Sequence, residues 1–233
     1  MVTVSKVAYF MLSGGLDSAV AGFRAVKELK PDILKAIFIS RFVEGGNVHK
    51  AYRKEILYAR IHARRLLNIP EENFYEIHVP FSWYADFKRR RPDIYPYGRN
   101  LVYIAVAASF ISMDMKFINP MGKAYLVLGF NIEDGHDAKK EFLKVLEKAV
   151  KLGTYQEFTL GKLIKFSHPF IGEPKSKIIE YARDNKIEWI FKESWSCYLG
   201  EEIHCGKCAG CEKRKKAFND AGVPDPTEYK FKS

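Results

Sequence analysis

The sequence predicts an α/β fold, a parallel sheet with helices on both faces, closed by a small cysteine-bearing module. Three observations predict it. Strand-like and helix-like segments alternate for most of the 233 residues, and alternating β and α units of this kind assemble parallel sheets. Hydrophobic residues make up 47% of the chain, enough for one sizeable core. The composition changes once, near Ser194, after which all four cysteines fall within one short window. The expected division is an α/β domain over residues 1–193 and a C-terminal module over residues 194–233 packed on it.

Residues 6–12 are an apolar run of strand length, and residues 17–29 have the composition of a helix. Residues 34–40, Leu-Lys-Ala-Ile-Phe-Ile-Ser, predict a second strand. Over residues 49–67, Tyr52, Ile56, Ala59, Ala63 and Leu66 recur at helical spacing, which predicts an amphipathic helix. A third strand is expected over 73–79, followed by a loop rich in Pro, Arg and Tyr. Residues 101–115 are strongly apolar and predict a buried helix. A fourth strand follows over 124–130, then helices over 138–150 and 176–185. No internal repeat and no low-complexity tract interrupts this order.

Ligands in such folds lie beyond the carboxyl ends of the strands. Two glycine-bearing tracts occupy such ends, Ser13-Gly14-Gly15-Leu16-Asp17-Ser18 after the first strand and Gly129-Phe130-Asn131 after the fourth. In the first, the glycine pair lets the backbone turn sharply and approach an anion closely. The Ser13 and Ser18 hydroxyls offer donors to phosphate oxygens, and the following helix presents free N–H groups at its positive end. The stretch Leu12 to Ser18 is therefore read as an anion cradle. It lacks the Gly-Lys-Ser/Thr ending of a Walker loop. Asp17 is left with two roles, meeting metal-bound phosphates or capping the helix.

The net charge of +10 and the pI near 9.3 suggest an anionic partner, for which a nucleotide, a carboxylate or tRNA qualify. Arg64-Arg65 and Lys88-Arg89-Arg90-Arg91 are the densest positive spots, and basicity alone does not establish nucleic-acid binding. No stretch approaches the roughly 18 uninterrupted apolar residues of a membrane helix. The N-terminus lacks the order of a secretory signal. A cytoplasmic protein without a membrane partner is expected.

The cysteines Cys197, Cys205, Cys208 and Cys211 are spaced C-x7-C-x2-C-x2-C. Four thiolates in one tract suit a tetrahedral Zn²⁺ site with no open position, hence a structural one. An iron–sulfur cluster is the alternative, although no proline follows the last cysteine. His204 stands beside Cys205 and is expected to be an exposed histidine rather than a ligand. None of the cysteines is expected to act as a nucleophile.

Taken together, the glycine loop resembles the signature of the N-type ATP pyrophosphatases, and with the cysteine tract the chain resembles the 7-cyano-7-deazaguanine synthases of queuosine and archaeosine biosynthesis. The resemblance runs almost end to end. It is carried by Ser13 to Ser18; Gly98-Arg99-Asn100; Gly129-Phe130-Asn131 with Glu133-Asp134; Pro169-Phe170 with Lys175 and Ile178; and Ser196-Cys197-Tyr198. It continues through Cys205-Gly206, Cys208 and Cys211 to Arg214, Ala217-Phe218, Gly222 and Asp225-Pro226-Thr227. The resemblance implies an adenine nucleotide α-hydrolase-like fold and an ATP-dependent C–N ligase. It implies conversion of 7-carboxy-7-deazaguanine and ammonia to the nitrile through adenylated intermediates, with Mg²⁺ accompanying ATP and zinc structural. Asp17, Arg99 and Lys175 are the residues expected to carry catalysis, and Leu12 to Ser18 the nucleotide loop. Asn131 and Asp134 are the candidates for contacting the substrate. The family implies a homodimer.

Two tracts depart from the family pattern. The first is residues 38–47, where the family carries Asp-Tyr-Gly-Gln before a basic residue and a histidine, and only His49 is left as a counterpart. The second is the compact Gly135-His136-Asp137. They keep open an adenylating relative that amidates another carboxylate or modifies tRNA. Direct tRNA binding is not expected, since all four cysteines are committed to one site and none is left for sulfur transfer.

Overall fold

The computed structural model describes residues 6–42, 50–80, 98–118, 122–154 and 164–231. Lys88-Arg89-Arg90-Arg91, the tract 43–47 and His49 lie outside the described residues. Five strands form one parallel sheet: β1 (Lys6–Met11), β2 (Ile33–Phe42), β3 (Phe74–Pro80), β4 (Lys123–Val127) and β5 (Ile164–Ser167), in the order β3-β2-β1-β4-β5. The registers follow from the apolar runs, with Tyr9 opposite Lys35 and Leu126. β1 is central and buried on both faces, Val7, Ala8, Tyr9 and Phe10 being at most 1% exposed, as a covered parallel sheet requires.

Helices cover both faces. On one, α1 (Leu16–Leu29), α2 (Tyr52–Ile61) and the π-helical turn that continues α2 place Ala25, Ala59 and Ala63 against Ala8, Phe10 and Phe38. On the other, α3 (Arg99–Ile118) and α4 (Lys140–Gly153) place Ile104, Ala108, Ile111, Leu143 and Leu146 against Val7, Tyr9 and Leu126. A third apolar cluster joins α1 to α5 (Lys175–Asp184) and α6 (Ala209–Asp220) through Leu16, Val20, Ile178, Ala182 and Phe218. The fold is the expected parallel sheet with helices on both faces, and the cysteine-bearing segment packs on it through α6.

Several local expectations change. The second helix converts to a π-helix over His62–Leu66, so Leu66 ends the element with a wider turn. The helix expected to be buried over 101–115 is buried on one face only. Ile104, Ala107, Ala108, Ile111 and Met115 meet the sheet, while Leu101, Met113 and Phe117 are exposed, Phe117 at 82%. A 20-residue helix of this composition is long and apolar enough to cross a membrane, a property shared by helices that lie on a sheet. The strand β5 and the helix α6 were not expected. β5 is four residues long with Lys165 exposed, and α6 is hidden in a tract whose composition reads as loop.

The strand order reverses at β1. From it the chain steps outward to β2 and β3, then returns to the other side for β4 and β5. That reversal opens a crevice beyond the carboxyl ends of β1 and β4, where both glycine-bearing tracts stand.

Candidate functional site

The loop after β1 is shaped by its glycines. Gly14 has φ +76°, and a Cβ there would lie 2.1 Å from the Glu55 carbonyl oxygen of α2. At Gly129 a Cβ would lie 2.5 Å from the Ser18 Cα, so only glycine lets the end of β4 approach the first turn of α1. The helix starts after Gly15 with no side-chain cap, which removes the capping role left open for Asp17. The Ser13 N–H donates to Ser18 Oγ at 3.1 Å, and the Gly15 N–H to Ser13 Oγ at 3.3 Å. The Ser18 hydroxyl donates to the Gly15 carbonyl at 3.1 Å. The two hydroxyls thus tie the loop to itself, and the first-turn N–H groups of α1 face the crevice end of the helix dipole.

Asp17 is the centre of a polar cluster built from three elements. Lys175 Nζ, from the first turn of α5, meets Asp17 Oδ2 at 2.6 Å. The Asn131 side-chain amide donates to the same oxygen at 3.3 Å. Asp134 Oδ2 accepts the Asn131 N–H at 2.8 Å, and Glu133 Oε1 accepts the Lys175 N–H at 3.1 Å. Burial first, and then the neighbouring Asp17 charge, push the Asp134 carboxyl above its usual range. Asp17 Oδ1 is buried and has no hydrogen-bond partner among the described residues. A carboxylate oxygen left in that condition costs about 1–3 kcal/mol or more, a cost that a cation or donor in the crevice would relieve.

The sequence-predicted residues Asp17, Lys175, Asn131 and Asp134 are therefore brought together. Arg99 is not bonded to any of them. It opens α3 with its guanidinium 5.9 Å from the Tyr103 ring centroid. Its neighbour Asn100 is fixed by Asp137, which accepts from the Asn100 N–H at 3.0 Å and from its amide at 3.2 Å. Asp134 does not cap the turn before Ala138, because Gly135 occupies that position.

The cysteine centre lies on the other side of the loop. The sulfurs of Cys197, Cys205, Cys208 and Cys211 all lie within 4.8 Å of one another. The closer pairs are Cys208–Cys211 at 3.5 Å, and Cys197–Cys208 and Cys205–Cys211 at 3.9 Å. Backbone N–H groups of Lys207 and Cys208 point at Cys205 Sγ at 3.4 and 3.3 Å. Burial raises the Cys205 thiol, but these donors and the neighbouring Cys197 and Cys208 thiols outweigh it and bring it down to about 7. The group can hold a metal ion. His204, expected to be exposed, is buried at 6%: it accepts the Ser196 N–H at 3.1 Å and stacks on Trp195 at 4.2 Å.

Trp195, which no pattern marks, and Arg214, which only the resemblance marks, hold the two parts together. The Trp195 N–H donates to the Gly14 carbonyl at 2.9 Å, and its indole Nε1–H to the Cys197 carbonyl at 2.7 Å. Arg214, wholly buried, donates to Thr227 Oγ1 at 2.7 Å, to Ser194 Oγ at 2.9 Å and to the Phe191 carbonyl. A lone tryptophan in a sequence carries no sign of such a position, and the resemblance that marks Arg214 does not say what it holds.

Residues 76–222 match the family model described as queuosine biosynthesis protein QueC. A 7-cyano-7-deazaguanine synthase from Methanothrix thermoacetophila is 33% identical over 95% of this chain and 98% of its own length. One from Porphyromonas gingivalis is 30% identical over 96% and 97%. The similarity to the synthase from Methanothermobacter thermautotrophicus, 32% identical, spans 57% of this chain and about half, 54%, of that one. Among solved structures, the U34-tRNA thiolase NcsA from Methanococcus maripaludis with its [4Fe-4S] cluster overlays at a TM-score of 0.43. It shares 17% identity, over 93% of this chain and 65% of that one.

Proposed function

The chain belongs to the QueC family of queuosine biosynthesis proteins, and from that premise we propose that it makes 7-cyano-7-deazaguanine from 7-carboxy-7-deazaguanine, ammonia and ATP. The observation that carries the proposal is the Asp17 cluster at the mouth of the glycine loop, with one carboxylate oxygen buried and unpartnered.

The chemistry follows from what a carboxylate lacks. Its charge and resonance repel nucleophiles, so one of its oxygens attacks the α-phosphorus of ATP and pyrophosphate leaves. Ammonia then attacks the adenylated carbon, AMP leaves, and an amide is formed. The amide oxygen attacks the α-phosphorus of a second ATP and pyrophosphate leaves, and loss of AMP together with both nitrogen protons gives the nitrile. The loop Leu12 to Ser18 and the N-terminus of α1 would receive the pyrophosphate. Lys175 would neutralise charge building on the leaving phosphates, and Asn131 would orient Asp17 while reading the acceptor. Magnesium supplies further neutralisation when ATP is bound, and Asp17 Oδ1 is the protein atom suited to it. Arg99, at the head of α3, is assigned to the substrate carboxylate rather than to the phosphates.

For the four cysteines we propose one zinc ion. A tetrahedral set at about 2.3 Å metal–sulfur distance puts its sulfurs roughly 3.8 Å apart, close to the three shorter separations of 3.5–3.9 Å in a set whose sulfurs all lie within 4.8 Å of one another. A cluster, whose ligand sulfurs must straddle several irons, asks for a wider set. When bound, the ion cross-links segments that otherwise have little apolar surface to fold on.

The test is mass spectrometry of the purified protein with Mg-ATP, ammonium and 7-carboxy-7-deazaguanine. Nitrile with AMP and pyrophosphate is the expected result. Consumption of no deazapurine by a protein that binds ATP would overturn the acceptor assignment. A second reading, amidation alone or of another carboxylate, rests on Asp137, which the compact tract 135–137 commits to Asn100 instead of the crevice. Accumulation of amide without nitrile would support it.

A further inference from the structure

The metal centre and the glycine loop are joined by one residue, through its backbone on one side and its side chain on the other. Trp195 donates its backbone N–H to Gly14 and its indole N–H to Cys197, two residues on from itself and one of the four thiol ligands. Its own carbonyl oxygen lies 3.5 Å from where a Cβ on Gly15 would stand. The indole is 5% exposed and packs with Cys197, Cys205, Cys211 and Ala51, the residue before α2. Gly14 is at the same time pressed on the Glu55 carbonyl in the first turn of that helix. The loop is therefore clasped between α2 and Trp195, and the indole bond fixes Trp195 to a ligand-bearing peptide. A second tie runs from α6, which begins after Cys208, to the acceptor side of the crevice: Lys213 Nζ donates to the Glu133 carbonyl at 3.1 Å.

We propose that Trp195 is a positioning residue that couples the four-cysteine metal centre to the glycine loop, so that nucleotide occupancy and metal retention strengthen one another. The proposal rests on the nucleotide and zinc readings above. A cross-link that only stabilised its own module would leave the loop's geometry indifferent to the metal. Here the Cys197 carbonyl that orients the indole and the Trp195 N–H that holds Gly14 belong to one short peptide stretch. Displacing the metal frees Cys197, and the constraint on the positive-φ turn at Gly14 loosens with it. Linkage makes the effect reciprocal.

The experiment uses the full zinc-loaded chain and α,β-methylene-ATP as the probe. Zinc affinity is measured by equilibrium competition with a chromogenic chelator, with and without saturating probe, and probe affinity separately by calorimetry. In the wild type the probe should tighten zinc about five-fold or more, the scale of site-to-site coupling. Trp195→Phe keeps an aromatic ring and loses the indole N–H. It should still bind probe and zinc, with the tightening reduced to less than about two-fold on the same scale. A general stabilisation of the folded chain by nucleotide would survive that substitution. An equal tightening in the variant, or none in a wild type that binds the probe, overturns the proposal. A wild type that binds no probe overturns the nucleotide reading and the coupling with it.

A second measurement leaves Trp195 in place. The chain has 3 tryptophans, so Trp83→Phe with Trp189→Phe makes Trp195 the single indole. Its emission should respond to probe and to zinc withdrawal alike, and an emission indifferent to probe speaks against coupling.

Discussion

Two lysine–aspartate pairs in this molecule, both largely shielded from solvent, have nearly the same geometry and opposite meanings. Lys35 Nζ lies 2.7 Å from Asp114 Oδ2, and Lys175 Nζ lies 2.6 Å from Asp17 Oδ2. The first pair sits between the sheet and α3. The Tyr9 hydroxyl donates to Asp114 at 2.6 Å and Lys35 donates to the Tyr75 hydroxyl at 3.2 Å. Burial, then the bond to Asp114, raise the Tyr9 hydroxyl well above the usual tyrosine range, in keeping with its role as donor to Asp114. The second pair sits beyond the strand ends, with Asp17 Oδ1 unpartnered and a second carboxylate, Asp134, held close by. A satisfied pair is architecture. A pair that keeps an orphan oxygen and a like-charged neighbour stores a cost that a ligand can relieve.

Substitutions can break this comparison, beginning where the effect should be largest. Asp17→Asn removes the charge while keeping the shape. It should lower kcat/KM by about 100-fold or more, in line with losing an electrostatic contact to the reacting phosphates, with little change in melting temperature. An active Asp17→Asn enzyme would show that the orphan oxygen has no catalytic meaning. Lys35→Met should do the reverse. It strands Asp114 against the sheet and costs about 3 kcal/mol of unfolding free energy in urea titrations, while the protein that remains folded turns over normally.

The smallest effect should have the opposite sign. Asp134 is a carboxyl whose folded pKa is raised, so the folded state holds its proton to higher pH than the unfolded chain does. The penalty for ionising it is absent in acid and develops as pH rises from the ordinary carboxylate value through the folded one. Asp134→Asn should therefore stabilise the ligand-free protein at neutral pH, by no more than about 1 kcal/mol. The gain should vanish in acid, when melting curves are compared across pH. A loss of stability at neutral pH would place Asp134 with Asp114 among the structural groups.

The sequence made some of this legible and hid the rest for physical reasons. The strand–glycine–helix start was readable because the positive φ and close backbone approach at Gly14 dictate residue type. The four cysteines were readable because metal chemistry dictates spacing. Asp17, Lys175, Asn131 and Asp134 could be named but not joined, since Lys175 meets Asp17 across 158 positions of chain. Strand β5 escaped notice because four residues with one lysine facing out carry almost no periodicity. Helix α6 escaped because its buried face is written in Gly210, Cys211 and Arg214 as much as in Ala217 and Phe218. The outward face of α3 was misjudged as core. An apolar composition predicts a helix, but it does not say how many sides are covered.

The clasp on Gly14 also says something about the order in which this molecule can be made. β1 and its loop are synthesised before the segments they pack against, for β1 needs β4 as a neighbour, and the Gly14 carbonyl needs the N–H of Trp195. Contacts between such distant segments form late, after long stretches of chain have been brought together. The glycine loop is thus begun early and finished late. A growing chain carries that loop without the means to complete it until the segment that bears Trp195 has emerged.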